Sequence, residues 1–120
     1  MILRNNLFKI KNQAITETKA DFRIRFDSDN FVYKAHFPNN PITPGVLLIQ
    51  IVAELLSFLK EKNFKIQSLI NVKFTAPINP IIFPEVDFSL DLSKRENAYY
   101  VKAIVKEKET VFAKISMVLE

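Results

Sequence analysis

The chain contains no cysteine and no tryptophan, and only one glycine and one histidine among its 120 residues. Without cysteine, neither a disulfide nor a thiolate metal site can form. With a single histidine, a zinc site would need several carboxylate ligands, which is an uncommon donor set. The sequence therefore favours a function that needs no metal, and we expect no bound cofactor.

Long apolar runs are also missing. The longest apolar stretch, residues 46–59, is interrupted by Gln50, Glu54 and Ser57. It is shorter than the roughly 20 residues that a membrane-spanning helix needs. The first residues lack the apolar run of a signal peptide. We therefore expect a cytoplasmic protein that does not act at a membrane.

Charge and length set further bounds. The net charge of +4 mildly favours acidic partners, but the basic residues are scattered and no nucleic-acid-binding motif is present, so we expect no nucleic-acid partner. A length of 120 residues predicts a single domain spanning 1–120. A domain of this size buries only about two-thirds of its unfolded surface, so a dimer partner would add to its stability.

Hydrophobic periodicity predicts strands at both ends of the chain and one helix between them. Alternating residues indicate strands at 7–16 and 22–26, a turn at 27–30, and four more strands at 66–76, 86–92, 99–105 and 111–119. Thr43 is predicted to cap a helix with Pro44 at its first position, ending near Lys62 with Asn63 as the stop. Consecutive strands with short links predict an antiparallel sheet packed on the helix, an α+β fold.

The single histidine and the single glycine lie nine positions apart in one segment, HFPNNPITPGVLLIQ, which runs from His36 to Gln50 and holds three of the six prolines. A bare backbone at the start of a helix allows a ligand to approach closely, so Gly45 is a candidate binding residue. The polar residues Gln50, Glu54, Ser57 and Glu61 form one narrow stripe on an otherwise apolar helix. That stripe is either the wetter side of a buried helix or part of a site.

The segment resembles the active-site motif of the 3-hydroxyacyl-[acyl carrier protein] dehydratases (FabZ/FabA-like), which have the hot-dog fold, a sheet wrapped around a long central helix. Their pattern is approximately H-F-P-G-x-P-x-x-P-G-V-L-x-x-E. This chain matches it at eight positions, namely His36, Phe37, Pro38, Pro41, Pro44, Gly45, Val46 and Leu47. The order of predicted elements agrees with that fold, and residues 74–80 are similar to the strand that follows the helix in the family.

The resemblance implies dehydration of a 3-hydroxyacyl thioester to a trans-2-enoyl thioester, in fatty acid or polyketide-type synthesis. The substrate is carried on the phosphopantetheine of acyl carrier protein or CoA. His36 would then remove the C2 proton, and the Gly45 N–H would hold the thioester oxygen. In the family, the site is shared across a dimer, with the histidine from one subunit and the helix acid from the other. We thus expect a homodimer, with a heterodimer or higher oligomer as alternatives.

Other residues of the segment and its surroundings follow from the same resemblance. Phe37, Pro44, Val46 and Leu47 are candidate substrate-binding residues, although Leu47 is also a natural core residue. Two exposed lysines near the proposed site, Lys34 and Lys73, could meet an acidic carrier protein, or could simply keep the protein soluble.

The chain departs from the family pattern where the acid belongs. Gln50 occupies the position of the family's glutamate or aspartate, and a glutamine can bond a hydroxyl but cannot deliver a proton. Glu54 lies one turn later on the same helix face, roughly 6 Å along the axis, and could enter the site instead. Asn39 also replaces the glycine that follows the His-Phe-Pro sequence.

Three functions therefore remain open. The first is a dehydratase, or the reverse hydratase, that uses His36, Gly45, Gln50 and Glu54. The second is a non-catalytic hot-dog subunit that binds acyl chains or pairs with an active homologue, as the Gln50 departure suggests. The third is an acyl thioesterase of the same fold, in which Glu54 would direct water or attack the thioester. We favour the dehydratase.

Overall fold

Six antiparallel strands form one sheet, and a single long helix packs against one of its faces. The structure, a computed structural model, describes residues 3–120. Along the chain the elements are β1 (Phe8–Ile15), β2 (Lys19–Phe26), α1 (Phe31–Ala35), α2 (Gly45–Lys60), β3 (Ile66–Phe74), β4 (Glu85–Arg95), β5 (Ala98–Glu107) and β6 (Thr110–Leu119). The strands stand in the order β1-β2-β4-β5-β6-β3, so β1 and β3 are the edges of the sheet.

The alternating sequence pattern has become one buried and one open face of the sheet. In β2, Ala20, Phe22, Ile24 and Phe26 are buried, whereas the residues between them are exposed or partly exposed. Phe22 lies opposite Phe88 of β4, and the inward residues of β4, β5 and β6 continue the same core. Because side chains alternate between faces with a period of two, this register places the inward apolar residues of β2, β4, β5 and β6 against α2. The predicted antiparallel sheet on a helix is confirmed.

The long helix α2 is present, but both of its predicted ends are wrong. It begins at Gly45 with Pro44 as the N-cap, and no side chain bonds the first amides, so Thr43 is not the cap. It ends at Lys60, and Glu61 takes the left-handed conformation (φ 51°) predicted for Asn63. Pro44 has a ψ of 136°, which is typical of an N-cap residue and lies outside the helical range. Thr43 is instead buried.

A second, five-residue helix, α1, was not predicted. It lies between the turn at 27–30 and the proline-rich segment, and the Asn30 side chain caps it by accepting from the Val32 amide at 3.0 Å. Tyr33 points into the core and is 2% exposed. Because only this residue of the helix is buried, the segment has no apolar periodicity that would reveal it. The helix ends at Ala35, and His36 is its C-cap.

The edge strand β3 is the most open element of the sheet. It pairs with β6 only, and Ile66, Leu69, Ile70 and Phe74 are between 37% and 58% exposed. The other edge, β1, carries mainly polar side chains on its exposed positions. Within residues 3–120, no helix has the length and apolar character needed to cross a bilayer.

Candidate active site

His36 stands at the end of α1, where the chain turns into the proline-rich segment. Its backbone N–H donates to the Val32 carbonyl at 2.9 Å, and its carbonyl accepts from the Ile42 N–H at 2.9 Å. The imidazole is partly exposed and stacks on the Phe37 ring, with 4.3 Å between the ring centroids. The main chain on both sides of His36 is therefore held, while its ring remains open to solvent on one side.

Gly45 is the first residue of α2, and its backbone is open at the helix N-terminus. The first amides of a helix have no intrahelical acceptor, and here no capping side chain takes their place. The helix dipole adds a partial positive charge at the same point. This end of α2 is thus suited to an oxyanion.

Phe74 gives Gly45 a second reason to lack a side chain. A Cβ at position 45 would lie 2.6 Å from Cζ of Phe74, so the Phe74 ring would have to move to admit one. The Phe74 ring is 50% exposed and lines the same cavity as Gly45. The chain uses its one glycine where an aromatic ring meets the start of a helix.

An apolar cavity of about 460 Å³ opens beside Gly45. It lies between the start of α2 and the segment that follows β3, and its lining includes Val46, Leu48, Phe74 and Ile78. The Thr43 amide donates to the Ile78 carbonyl at 2.8 Å and thereby closes one side. A cavity of this size and lining can hold a short acyl chain next to the open helix amides.

The Glu54 carboxylate is hydrogen-bonded to the N-terminal segment of the same chain. Its carboxylate accepts hydrogen bonds from the Leu3 N–H at 2.7 and 2.8 Å and from the Arg4 N–H at 2.9 Å. The Gln50 amide also donates to Glu54, at 3.1 Å. Leu3 is 7% exposed and belongs to the core, so the segment is firmly packed over this part of the helix. In this arrangement the carboxylate serves as an anchor for the backbone.

Gln50 and Glu54 open onto a different surface from Gly45. They line a groove of about 800 Å³ together with Arg4, Phe58 and the segment between α2 and β3. Among residues 3–120, neither His36 nor Gly45 lines that groove, and neither Gln50 nor Glu54 lines the cavity at Gly45. Within one chain, therefore, the structure does not bring the predicted histidine, glycine and helix polar residues into a single pocket.

The four candidate substrate-binding residues lie in different surroundings. Val46 is 69% exposed and lines the cavity at Gly45, and Pro44 caps the helix beside it. Phe37 is 50% exposed against the imidazole. Leu47 is partly buried and packs on the core. The sequence placed Thr43 in this segment only as a helix cap and Phe74 only in a predicted strand, and it did not single out Tyr33, since none of the three is a fixed position of the family pattern.

No group of three or more histidine, aspartate or glutamate side chains that could hold a metal ion occurs in the part of the chain that the structure describes. The single imidazole has no carboxylate bonded to it there, and the Glu54 carboxylate in the groove already accepts hydrogen bonds from backbone amides.

Comparisons with known proteins agree in the kind of protein that they find. The family model for ApeI-like proteins, described as ApeI dehydratase, matches residues 11–115. The 3-hydroxyacyl-[acyl-carrier-protein] dehydratase FabZ of Caulobacter sp. (strain K31) is 28% identical over 92 residues, which are 68% of this chain and 55% of that protein. The FabZ of Protochlamydia amoebophila is 32% identical over 93 residues, covering 72% and 60%. The chain thus spans little more than half the length of these curated relatives.

A solved structure, the dehydratase heterocomplex ApeI:P from Xenorhabdus doucetiae, superposes on this chain with a TM-score of 0.71 at 17% identity. The superposition covers 90% of this chain and 93% of the other. At that identity, the likeness concerns the fold, and it confirms the predicted hot-dog fold.

Proposed function

The chain belongs to the ApeI-like dehydratase family, and on that premise we propose that it dehydrates a 3-hydroxyacyl thioester to the trans-2-enoyl thioester, with the acyl group carried by an acyl carrier protein or CoA. The observation that carries the proposal is the uncapped helix N-terminus at Gly45, which opens beside an apolar cavity nine residues after the only histidine. The charge that develops in this reaction is on the thioester oxygen, and that is the charge such a site stabilises.

His36 is the base in this proposal. Its imidazole takes the C2 proton of the substrate, and the electron pair of that C–H bond moves towards the thioester carbonyl. The oxygen, now an enolate, accepts the Gly45 N–H at the positive end of α2. The C3–O bond then breaks, the double bond forms between C2 and C3, and the hydroxyl leaves as water once it receives a proton.

The imidazolium of His36 is our proposed source of that proton. Gln50 cannot deliver a proton, and the oxygens of Glu54 accept three hydrogen bonds from the backbone of Leu3 and Arg4. Histidine is suited to both steps, because an imidazole can accept and return a proton near neutral pH. Gln50 would then orient the leaving hydroxyl.

A second subunit would bring the two halves of the site together. We propose that this subunit covers β3, because an edge strand with exposed apolar side chains is a pairing surface. Ile66 lies both on this edge and in the groove that holds Gln50. A partner at β3 would thus approach the groove as well. The partner is either a second copy or a homologous chain.

One observation favours the second candidate, a non-catalytic subunit of a heteromer. The helix acid position holds Gln50, and the nearest carboxylate, Glu54, is bonded to the N-terminal backbone. The solved ApeI:P structure is itself a heterocomplex. The same bonds weigh against a thioesterase, because a carboxylate held by backbone amides is poorly placed to activate water.

The experiment that separates these readings is an assay of the purified chain on a short 3-hydroxyacyl carrier-protein thioester. Wild type and Glu54→Gln are expected to turn over at similar rates, since Glu54 is not the acid. Inactive wild type that gains activity on Gln50→Glu would overturn the catalytic proposal in favour of the non-catalytic subunit. Release of free thiol would identify a thioesterase.

A further inference from the structure

Tyr33 and Thr43 form a buried hydrogen bond that the proposed chemistry does not use. The Tyr33 hydroxyl oxygen lies 2.9 Å from Oγ1 of Thr43, and the two residues are 2% and 4% exposed. Apart from Tyr33, Thr43 is the only buried residue with a polar side chain among residues 3–120. Because a buried hydroxyl without a partner costs free energy, each of these hydroxyls depends on the other.

The bond joins the two segments that carry the proposed catalytic groups. Tyr33 lies in α1, three residues before His36, and Thr43 lies two residues before Gly45. The connection between them, residues 37–42, contains no helix or strand. Its main-chain bonds include the one from the Ile42 N–H to the His36 carbonyl. The Tyr33–Thr43 bond is therefore a side-chain link across the base of the loop.

The surroundings keep this link intact near neutral pH. Burial raises the pKa of Tyr33 to about 12, and the negative charge of Asp27 acts in the same direction, while the bond to Thr43 opposes them. The phenol thus keeps its proton over the range in which a histidine base works. The Thr43 backbone is held separately, because its N–H donates to the Ile78 carbonyl.

We propose that Tyr33 and Thr43 are positioning residues, whose hydrogen bond sets the place of His36 relative to the open amide of Gly45. Neither residue touches the reacting atoms. The expected effect of this bond on the dehydration rate rests on the proposed function. Its expected effect on the loop at residues 37–42 rests on the geometry alone. Displacement of a catalytic group by about 1 Å can reduce a rate by a factor of about 100, so a link of this kind is worth a measurable change in kcat.

The kinetic test is a double-mutant cycle on the purified full chain. Tyr33→Phe and Thr43→Val are each expected to lower kcat about tenfold or more with little change in KM, and the double variant is expected to be no worse than either single variant. Thr43→Ser keeps the hydroxyl and is expected to retain activity. Tyr99→Phe is the matched control. Tyr99 lies on β5 and packs against Phe64, near the C-terminal end of α2, and its replacement should leave kcat unchanged. Additive losses, or a loss confined to thermal stability, would overturn the inference.

A second readout does not need activity. The chain's only glycine amide and only histidine imidazole each give one signal in a nuclear magnetic resonance spectrum. Tyr33→Phe is expected to shift or broaden both signals, and Tyr99→Phe neither. If wild type is inactive but both signals respond, the proposed function fails and the positioning inference stands. If the variant is folded and neither signal responds, the positioning inference is wrong whatever the activity.

Discussion

The sequence leaves two roles open for Glu54, the wetter side of a buried helix or part of a site. The structure shows its carboxylate bonded to the backbone of Leu3 and Arg4. The sequence places it correctly on the face of α2 that carries Gln50, but it cannot show that the amides of Leu3 and Arg4 bond the carboxylate, because these residues are about 50 positions away. Backbone donors carry no residue-type signal. The same holds for Thr43, whose hydroxyl bonds Tyr33 rather than the helix amides that its residue type predicts.

Replacement of Glu54 by glutamine should weaken the anchor of the N-terminal segment. The uncharged amide accepts more weakly and offers one oxygen in place of two, so we expect a loss of about 1–3 kcal/mol in the free energy of unfolding. Hydrogen exchange at the Leu3 and Arg4 amides should also become faster. Glu61→Gln, on the exposed end of the same helix, is the control. Unchanged exchange in Glu54→Gln would show that the carboxylate is not the anchor.

The strands were predicted well and the short helix was missed, for a reason that lies in the length of each element. A strand of eight or more residues repeats its alternation several times, whereas the five residues of α1 complete little more than one turn. The start of α2 was misplaced by one residue because Pro44 is the cap here rather than the first helical residue, and its end was misplaced because Glu61 takes the left-handed conformation expected of Asn63. The scarcity of glycine also hides the turns, since Glu61, Glu96 and Lys108 take positive φ values in its place.

At the turn between β5 and β6, glycine in place of Lys108 should make the folded protein more stable. Lys108 has φ of 52°, a conformation that costs a residue with a side chain about 1–2 kcal/mol. We expect Lys108→Gly to raise the melting temperature, with a gain of about 0.5–1 kcal/mol after the entropic cost of glycine. Glu109→Gly, one residue later without positive φ, should lower it. A lower melting temperature for Lys108→Gly would contradict this interpretation of the turn.

On the open face of the sheet, ion pairs of Arg23 link strands that form much of the molecule. Its guanidinium bonds Glu107 of β5 at 2.7 Å and both Glu85 and Asp87 of β4 at 3.2 Å. These bonds raise the pKa of Arg23 further, and the bond to Arg23 is the main reason that the pKa of Glu107 is lowered. The cluster connects three strands, β2, β4 and β5, that are not all neighbours.

Arg23→Met should therefore cost about 1–2 kcal/mol at pH 7, while Arg25→Met, whose side chain is 53% exposed, should cost little. A lowered carboxyl pKa in the folded state adds stability above the ordinary value of about 4.5, and this contribution is lost as the pH falls through the folded value. Urea unfolding from pH 7 to pH 3 should show the wild-type advantage over Arg23→Met shrinking below pH 4.5. A constant difference would contradict the account.

The exposed edge at β3 is the other feature of molecular scale. If a second subunit covers it, Leu69→Lys, at a side chain that is 49% exposed, should shift the protein towards monomer in light scattering during gel filtration. Ile104→Lys is the matched control, because Ile104 is 38% exposed on β5 in the interior of the sheet. Wild type that is monomeric at all concentrations, with or without a homologous subunit, would refute a shared site.

The most direct test of the central claim is the initial rate of 3-hydroxyacyl thioester dehydration by wild type and by His36→Ala, measured side by side. We expect wild type to form the trans-2-enoyl product, and we expect His36→Ala to lose about 100-fold to 10,000-fold of that rate, because in the proposed mechanism one imidazole both takes and returns the proton. A His36→Ala variant that keeps the wild-type rate would contradict the account.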